Sequence, residues 1–448
     1  MSKSEASEGN EVAMKREPIL MVCTCEIAGR VRGKGFPATS RAQRLKSGVG
    51  WVPTNTMISC FGPIGDTPFG ATGDLILVPD EATEVHVEFG PDHAPEHFFL
   101  GDIRETDGRA WSCCPRDFLR RALAALKDTA GLQLYSAFEQ EFMYSGIEEM
   151  PTSAYSLDAY RRQGIFGEAF IAALRQAGVK PDSFLPEFGS RQFEVTSDPV
   201  LGIASADQAI IVREMARAVA QRLGQRATFA PILDPKGVGN GVHIHMSFQD
   251  QAGRPVMHDP KGAYGLSPVA QHFMAGVLRH LPAICAVSAP STISYIRLTP
   301  NRWAPTYAYI ADRDREASLR VCPVLTLPGS DAARQFNIEF RPADAAASPY
   351  LALGAVVHAG VEGIRNKLSL PESRDVPRMS DAQRVKAGIH HLPQSLDEAL
   401  DRLEATPEAA NWFGPVYLEA YLRHKRAEIK MVAGLDEAEQ CARYAQIY

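Results

Sequence analysis

Three short stretches of the chain place two polar side chains two residues apart among strand-forming residues: Glu139-Gln140-Glu141, His243-Ile244-His245 and Glu339-Phe340-Arg341. Side chains at positions i and i+2 of a β-strand point to the same face, so each stretch presents two ionisable groups together. Crowded carboxylates repel one another unless positive charge lies between them. With Glu187 and Glu194 added, the set contains five carboxylates and His243, an oxygen-rich group that suits paired Mg²⁺ or Mn²⁺. The spacing therefore predicts a two-metal enzyme.

The residues between these pairs bear on whether the pairs are ligands or ordinary surface groups. Phe138, Phe142 and Tyr144 predict a largely buried strand, in which unpaired carboxylates are unfavourable. Val242 and Ile244 alternate with His243 and His245, which predicts that the two imidazoles lie on the face opposite the apolar side chains. A solvated Glu-x-Glu pair and a hydrogen-bonded pair of core histidines stay open as alternatives.

Arginines and glycines near these pairs suggest which chemistry the metals would serve. Phosphoryl transfer needs metals and guanidinium groups that absorb charge on the moving phosphate. Solvated surface arginines are the alternative interpretation. The arginines that could surround a phosphoryl group are Arg297, Arg313, Arg315, Arg320 and Arg341.

A glycine-rich segment, Lys236 to Gly241, immediately precedes the histidine pair. Its glycines, including Gly239, would let the backbone approach a ligand closely. The spacing matches neither a Walker loop nor a Rossmann fingerprint, both of which also need a following helix. The segment is therefore either a clamp for phosphate or an amino acid, or an ordinary flexible turn.

Length and composition narrow the classes of partner. A chain of 448 residues predicts two to three domains, and a net charge of −6 without a dense basic patch argues against nucleic acid. Eight cysteines without any CxxC spacing predict reduced thiols in a cytoplasmic protein. No apolar run is long enough for a signal peptide or a membrane span. We expect small-molecule partners and no membrane.

The pattern of elements predicts an α+β fold with a disordered tip at residues 1–17, a small mixed-sheet domain at 18–112 and a catalytic domain at 113–448. The boundary lies where apolar residues change to helical spacing. The predicted strands are 19–25, 73–78, 85–89, 98–103, 132–144, 191–196, 240–248 and 334–341. The predicted helices are 118–130, 156–177, 202–223, 267–288 and 349–367, with a largely helical end from 396 to 448.

Taken in order, these stretches resemble the signature blocks of the glutamine synthetase family over most of the chain. No single block is specific, but six in the family's order are. The blocks are Glu139 to Phe142, Glu187 to Glu194, Gly241 to Ser247, Ser294 to Pro300, Arg315 to Arg320 and Ile338 to Asp344, with Ser348 to Leu351 behind them.

The resemblance implies a β-grasp-like N-terminal domain and a catalytic domain with an antiparallel sheet and helices. It also implies a homo-oligomer of rings, a dodecamer, with active sites between neighbouring subunits. The implied reaction is an ATP-driven ligation with two or more Mg²⁺ or Mn²⁺ ions per site. Glutamate attacks the γ-phosphate of ATP, and an amine then displaces phosphate from γ-glutamyl phosphate, because a free carboxylate resists attack by amines.

The resemblance also implies a role for each matching residue. The metal near glutamate would be held by Glu141, Glu187 and Glu194. The metal on the ATP phosphates would be held by Glu139, His243 and Glu339. Glutamate would be bound by Arg297, Arg341 and Gly239, the transferred phosphate stabilised by Arg315 and Arg320, and the nucleotide contacted by His245, Ser247 and Arg320.

Two departures from the family pattern concern the incoming nitrogen. Glutamine synthetases carry a glutamate after the Arg-Leu-x-Pro block that closes the ammonium site, and here the matching position is Trp303. A second ammonium-site acid in the N-terminal domain aligns with Cys60 or a neighbour. An indole offers a large apolar wall and cannot accept a proton. These departures favour an organic amine over ammonium, unless another acid such as Asp66 or Asp312 reaches the site.

The leading hypothesis is a glutamate–amine ligase that forms a γ-glutamylamide, with Trp303 contacting the amine. An ammonia-using glutamine synthetase is the second hypothesis. Two rivals come from other classes: a non-catalytic scaffold that kept the fold, and a two-metal hydrolase. The hydrolase would leave the arginine and glycine blocks without a role.

Overall fold

The computed structural model describes residues 16–150, 154–300, 302–371 and 376–448. The predicted disordered tip lies outside these residues, apart from its last two positions. Within the described residues, no helix combines the length and apolar character needed to cross a bilayer.

The first part of the chain folds into a six-stranded sheet. Its strands are β1 (Ile19–Cys25), β2 (Val31–Pro37), β3 (Val49–Trp51), β4 (Leu75–Pro79), β5 (Val85–Val87) and β6 (Glu96–Glu105), with helix α1 (Arg41–Ser47) between β2 and β3. The order is β2-β1-β6-β4-β3, with β5 also on β6. β1 and β6 run parallel and the other pairs are antiparallel. The sequence reading missed β2, whose two glycines and proline suit the edge strand that it forms.

The remainder of the chain contains a nine-stranded sheet. Its strands are β7 (Gln133–Tyr144), β8 (Pro181–Pro186), β9 (Gln192–Ser197), β10 (Val200–Leu201), β11 (Ala227–Thr228), β12 (Val242–Gln249), β13 (Ile310–Asp312), β14 (Leu319–Val321) and β15 (Ile338–Ala343). The order is β13-β14-β15-β12-β7-β9-β8, with β10 and β11 also on β7. The predicted α+β class is confirmed.

Helices pack around this sheet, most closely α6 against α9 and α2 against α9. The helices are α2 (Pro115–Ala130), α3 (Leu157–Arg162), α4 (Ile165–Gln176), α5 (Ala204–Arg222), α6 (Pro268–Ser288), α7 (Ser294–Arg297), α8 (Ala332–Gln335), α9 (Pro349–Arg365), α10 (Asp381–Lys386), α11 (Leu396–Glu404), α12 (Pro407–Phe413), α13 (Pro415–Met431) and α14 (Glu437–Ala445).

Two predicted elements were wrong in detail. The helix predicted at 156–177 is two helices, α3 and α4, because Gly164 adopts a φ of 57° between them. The strand predicted at 334–341 begins only at Ile338, because Asp331 caps helix α8 by accepting hydrogen bonds from the Ala333 and Arg334 amides. A short polar cap thus gives residues 334 and 335, predicted as strand, a helical conformation.

Strand β7 alternates between two environments along its whole length. Its even-numbered residues, such as Phe138 and Phe142, are buried in the core that the helices cover. Its odd-numbered residues, including Glu139 and Glu141, lie on the other face and are partly accessible. This period of two confirms the expected division between a core face and a polar face.

A buried ion network joins the first sheet to the helices behind the second. Arg116 on α2 is only 1% exposed, and its Nε and Nη2 donate to Asp207 on α5 at 3.0 and 2.8 Å. Its Nη1 donates to Asp102 on β6 at 3.2 Å, and the Tyr350 hydroxyl on α9 donates to Asp207 at 2.6 Å. One guanidinium therefore ties four elements together.

Replacing Asp207 with Ala should destabilise the protein by about 3–5 kcal/mol, because it leaves a buried guanidinium partly unpaired. The shift in urea denaturation midpoint at a fixed protein concentration measures this loss. D117A, which removes the partly exposed partner of Arg121 at 3.2 Å, is the control and should cost roughly 1 kcal/mol or less. Equal losses for the two variants would contradict the role given to the network.

Candidate active site

The polar face of the second sheet carries a continuous row of charged residues across five neighbouring strands. The row follows from strand register, because each member lies directly opposite the next on the adjacent strand. The opposed pairs are Arg320 with Glu339, Glu339 with His245, His243 with Glu139, and Glu141 with Glu194. Side chains in such pairs are close enough to interact strongly.

The centre of this row is a compact group of carboxylates and imidazoles. His243 Nδ1 lies 2.7 Å from Glu139 Oε1 and 3.3 Å from Glu339 Oε1. Glu339 is 1% exposed, and Arg320 Nη1 donates to its Oε2 at 2.7 Å. Arg341 Nη1 donates to its other oxygen. The structure therefore brings together Glu139, His243 and Glu339, the three residues predicted to hold the metal on the ATP phosphates.

Donor atoms converge in two groups that could each hold a metal ion. Glu139, Glu194 and His243 form one group, and Glu139, His245 and Glu339 form the other, each with donor atoms within 4.8 Å of one another. Glu194, predicted to hold the metal near glutamate, thus lies beside the ligands predicted for the metal on the ATP phosphates. His245, predicted to contact the nucleotide, belongs to the second donor group.

Glu141 and Glu187, the other residues predicted to hold the metal near glutamate, lie outside these two donor groups. Glu141 Oε2 accepts a hydrogen bond from the Gly241 amide at 2.7 Å. Glu187 Oε2 accepts from the Tyr155 hydroxyl and the Phe188 amide, both at 2.8 Å. In the described chain neither belongs to a converged group of three donors, so their metal role stays a prediction.

The electrostatics of the carboxylates fit a divalent cation. Burial, followed by the negative charges of Glu139 and Glu141, raises the pKa of Glu194. Burial also raises the pKa of Glu141. At Glu139 burial acts in the same direction, but hydrogen bonds from His243 and His245 hold the pKa well below its usual range. A donor set of carboxylates and imidazole, in which crowding and burial raise the pKa of two carboxylates and imidazoles lower that of a third, suits Mg²⁺ or Mn²⁺.

The glycine-rich segment packs against Arg297, one of the predicted clamps for the acid substrate. A Cβ at Gly239 would lie 2.5 Å from Arg297 Cγ, and a Cβ at Gly241 would lie 3.1 Å from His243 Nε2. Arg297 is buried, and its Nη2 donates to the Ala343 carbonyl at 2.7 Å. A side chain at Gly239 would displace Arg297, and one at Gly241 would crowd His243, so glycine leaves the space beside both groups open.

A cavity of about 540 Å³ opens beside the carboxylates. Its walls include Glu139, Glu194, His245, Ser247 and Asn337. Asn337 Oδ1 lies 2.9 Å from His245 Nδ1, so this side chain orients the imidazole. Two of the three residues predicted to contact a nucleotide, His245 and Ser247, therefore share one cavity that borders the row, whereas the third, Arg320, binds Glu339 and does not line this cavity.

Aromatic side chains form a rim next to the row. Trp303 is 52% exposed with a φ of 51°, and its carbonyl accepts a hydrogen bond from Arg341 Nη2 at 3.0 Å. Its ring meets the half-exposed Phe188 edge to face, with centroids 5.0 Å apart. The left-handed backbone at a bulky residue is unfavourable, and such conformations cluster at functional sites. We call Trp303 and Phe188 the aromatic pair.

The arginines separate into two classes. Arg297, Arg320 and Arg341 are gathered at the row, whereas Arg313 and Arg315 are exposed. Burial and the hydrogen bond to Glu187 raise the pKa of Tyr155, and the positive charge of Arg315 opposes that rise. The charge of Arg315 thus lies close enough to act on Tyr155, the partner of Glu187, although Arg315 forms no ion pair with a carboxylate within the described residues.

The sequence reading overlooked three residues that the structure places in the site: Tyr155, Phe188 and Gln192. Gln192 lies two positions before Glu194 in β9, so the same spacing rule that found the carboxylates could have found it. Tyr155 and Phe188 lie in loops, where no periodic pattern marks a residue.

Replacing Glu139 with Ala should weaken Mn²⁺ binding more than about tenfold, because Glu139 belongs to both donor groups and even outer-shell changes cost tenfold or more. Calorimetric titration of the purified protein with Mn²⁺ measures the affinity. E168A, on the exposed face of α4, is the control and should bind as the wild type does. Unchanged Mn²⁺ affinity in E139A would show that this row does not bind the metal.

Several known proteins have chains or structures similar to this one. A gamma-glutamylpolyamine synthetase, GlnA3, of Streptomyces coelicolor is 32% identical over 94% of this chain and 92% of its own. A type-1 glutamine synthetase of Dictyostelium discoideum is 26% identical over 100% of this chain and 94% of its own. A crystal structure of a novel glutamine synthase homolog, at 40% identity, has a TM-score of 0.90 and covers 97% of this chain and 99% of its own.

A structure of GmaS without ligand, at 26% identity, has a TM-score of 0.79 over 94% of this chain and 96% of its own. The glutamine synthetase N-terminal domain model matches residues 9–111, and the glutamine synthetase catalytic domain model matches residues 112–444. These two matches cover nearly the whole chain in the order that the two sheets occupy. The chain therefore belongs to the glutamine synthetase family.

Proposed function

We propose that this protein ligates glutamate to an organic amine at the expense of ATP, through γ-glutamyl phosphate, to form a γ-glutamylamide. Membership of a family of ATP- and metal-dependent ligases supports the first half of this reaction. The observation that carries the second half is the aromatic pair, because its Trp303 stands where the family pattern has an ammonium-binding glutamate. An apolar wall favours a nitrogen that carries hydrocarbon over bare ammonium.

In the first half-reaction the chain's task is to hold two anions close together. Arg297 and Arg341 bind the carboxylates of glutamate, and Arg320, with Arg315, neutralises charge on the moving phosphate. Divalent metal held by the row supplies Lewis acidity for phosphate transfer. The nucleotide occupies the cavity that His245 and Ser247 line, so its γ-phosphate faces the row.

In the second half-reaction the amine approaches between the aromatic pair and Glu187. The rings attract an alkylammonium through their faces and exclude water from its hydrocarbon part. The amine must lose a proton before it attacks. Glu187 directly precedes Phe188, and its carboxylate accepts a hydrogen bond from the Phe188 amide at 2.8 Å. We propose Glu187 as the proton acceptor, in addition to its predicted role near the metal.

The similar proteins bear on the amine, the assembly and the location. The name of the Streptomyces relative indicates a polyamine substrate for that enzyme, and this supports an extended amine here. We further propose a β-grasp-like N-terminal domain at residues 18–112 and a catalytic domain from residue 113. The full assembly we propose is a cytoplasmic dodecamer of stacked rings with active sites between subunits.

An ammonia-using glutamine synthetase is the second candidate, and the Dictyostelium relative favours it. It needs an acid to replace the missing glutamate. Within this chain Asp66 lies 3.2 Å from Arg423, and Asp312 lies 3.6 Å from Arg313, so each already has a cationic partner. A non-catalytic scaffold is less favoured, because Glu139, His243 and Glu339 still converge.

Purified enzyme with ATP, glutamate, Mg²⁺ and a panel of amines tests the proposal directly. Phosphate release should be faster with at least one alkylamine, diamine or polyamine than with ammonium at the same concentration. Omitting the amine should leave only slow release, which separates a ligase from a hydrolase. Faster turnover with ammonium than with every organic amine would make the enzyme a glutamine synthetase.

Replacing Trp303 with Ala should lower kcat/KM for the preferred organic amine on the order of tenfold, since the lost contacts are worth about 1–2 kcal/mol. F188A should act in the same direction, and the KM for ATP should stay within about twofold. The matched control is V416A, because Val416 is an exposed apolar residue on α13, and this variant should keep the wild-type kcat/KM. If W303A affected ammonium and organic amines equally, the aromatic pair would not select the amine.

A further inference from the structure

A single buried amide connects the two halves of the site. Gln192, at the start of β9, is 2% exposed. Its Nε2 donates to the Gly239 carbonyl at 2.8 Å, to Asn240 Oδ1 at 3.0 Å and to Glu141 Oε2 at 3.2 Å. Its Oε1 accepts from the Gly189 amide at 3.0 Å.

The orientation of this amide follows from the groups around it. The Gly189 amide can only donate, so it must face the oxygen of Gln192. Asn240 donates its own Nδ2 to the Ala230 carbonyl at 2.9 Å, which leaves Asn240 Oδ1 as an acceptor facing Gln192. Backbone groups at both ends therefore fix the direction of the chain of hydrogen bonds.

The contacts of Gln192 fall on both sides of the site. On the acid side it holds Glu141 and the Gly239 backbone, and Gly239 packs directly against Arg297. On the amine side its Oε1 holds the turn that carries Glu187 and Phe188 by accepting from the Gly189 amide at 3.0 Å, next to the backbone bond from the Glu187 amide to the Gln192 carbonyl at 2.9 Å. We propose that Gln192 is a positioning residue that fixes the acid-binding loop and the amine-facing turn relative to each other.

This inference rests on the proposed function for the identity of the two sides. Its physical basis is that a misplacement of about 1 Å among reacting groups lowers rate by up to a hundredfold. The nucleotide cavity, in contrast, is lined by Glu139, His245 and Ser247, none of which Gln192 contacts. Loss of Gln192 should therefore affect glutamate and amine more than ATP.

The test compares Gln192→Leu with Gln140→Leu. Gln140 is a matched control, because it is 1% exposed and lies in the adjacent strand. Among the described residues its side chain donates only to the Ala209 carbonyl, at 3.0 Å and behind the sheet. Both variants remove a buried amide, so both should lower the melting temperature. Only Q192L should raise the KM for glutamate and for the amine, by about tenfold or more, while the KM for ATP stays within about twofold.

A second variant keeps the inference testable if Q192L does not fold. Q192E preserves the shape of the side chain but replaces the donor with an oxygen that faces three acceptors. It should therefore also raise the KM for glutamate while leaving the KM for ATP nearly unchanged. All variants are assayed with whichever nitrogen donor the wild type uses fastest. Failure of the proposed amine specificity, which the wild-type panel reports, is then distinct from failure of this inference.

Two outcomes would overturn the inference. In the first, Q192L and Q140L lose activity to the same extent with no change in any KM, which would make Gln192 a stability residue only. In the second, the KM values for ATP, glutamate and amine all rise together in Q192L and Q192E, which would mean that the whole sheet has shifted.

Discussion

The structure depends on the confinement of like charges on one face of a sheet. Glu139, Glu141, Glu194 and Glu339 lie on β7, β9 and β15, with β12 between β15 and β7, and only imidazoles, guanidinium groups and a bound cation can offset their repulsion. Such an arrangement requires exact strand register, because a slip of one residue would turn every carboxylate into the apolar core. The fold must therefore hold register firmly before the site can exist.

Two features of the chain supply that register. The apolar residues of β7 and β12 alternate with the charged ones, so a slipped pairing would bury charge and expose Phe138 or Ile244. Behind the sheet, the Arg116 network ties the first sheet to α5 and α9. The unfavourable crowding of the row is offset by burial of apolar surface elsewhere, as is usual for functional sites.

The part of the site that obeys a regular period could be predicted from the sequence. The i, i+2 pairs found Glu139, His243 and Glu339, and the structure brings these together within hydrogen-bonding distances. The same rule could have identified Gln192. The predicted strands of the first sheet were found where residues alternate, but β2 was missed because glycine and proline hide an edge strand.

The parts that depend on loops could not be predicted in the same way. The meeting of Phe188 with Trp303 joins residues far apart in the chain, and the backbone of Trp303 is held in the left-handed region by a guanidinium from β15. Likewise, the exposure of Arg315 depends on how its loop leaves β13. Tertiary packing, not local preference, decides such positions.

The central claim is that the row of carboxylates gathers two divalent cations beside nucleotide and glutamate. Anomalous diffraction from crystals grown with Mn²⁺ and a non-hydrolysable ATP analogue tests this most directly. The account predicts one manganese peak among Glu139, His243 and Glu339 and a second beside Glu194. Manganese bound only elsewhere, with the nucleotide outside the cavity that His245 and Ser247 line, would contradict it.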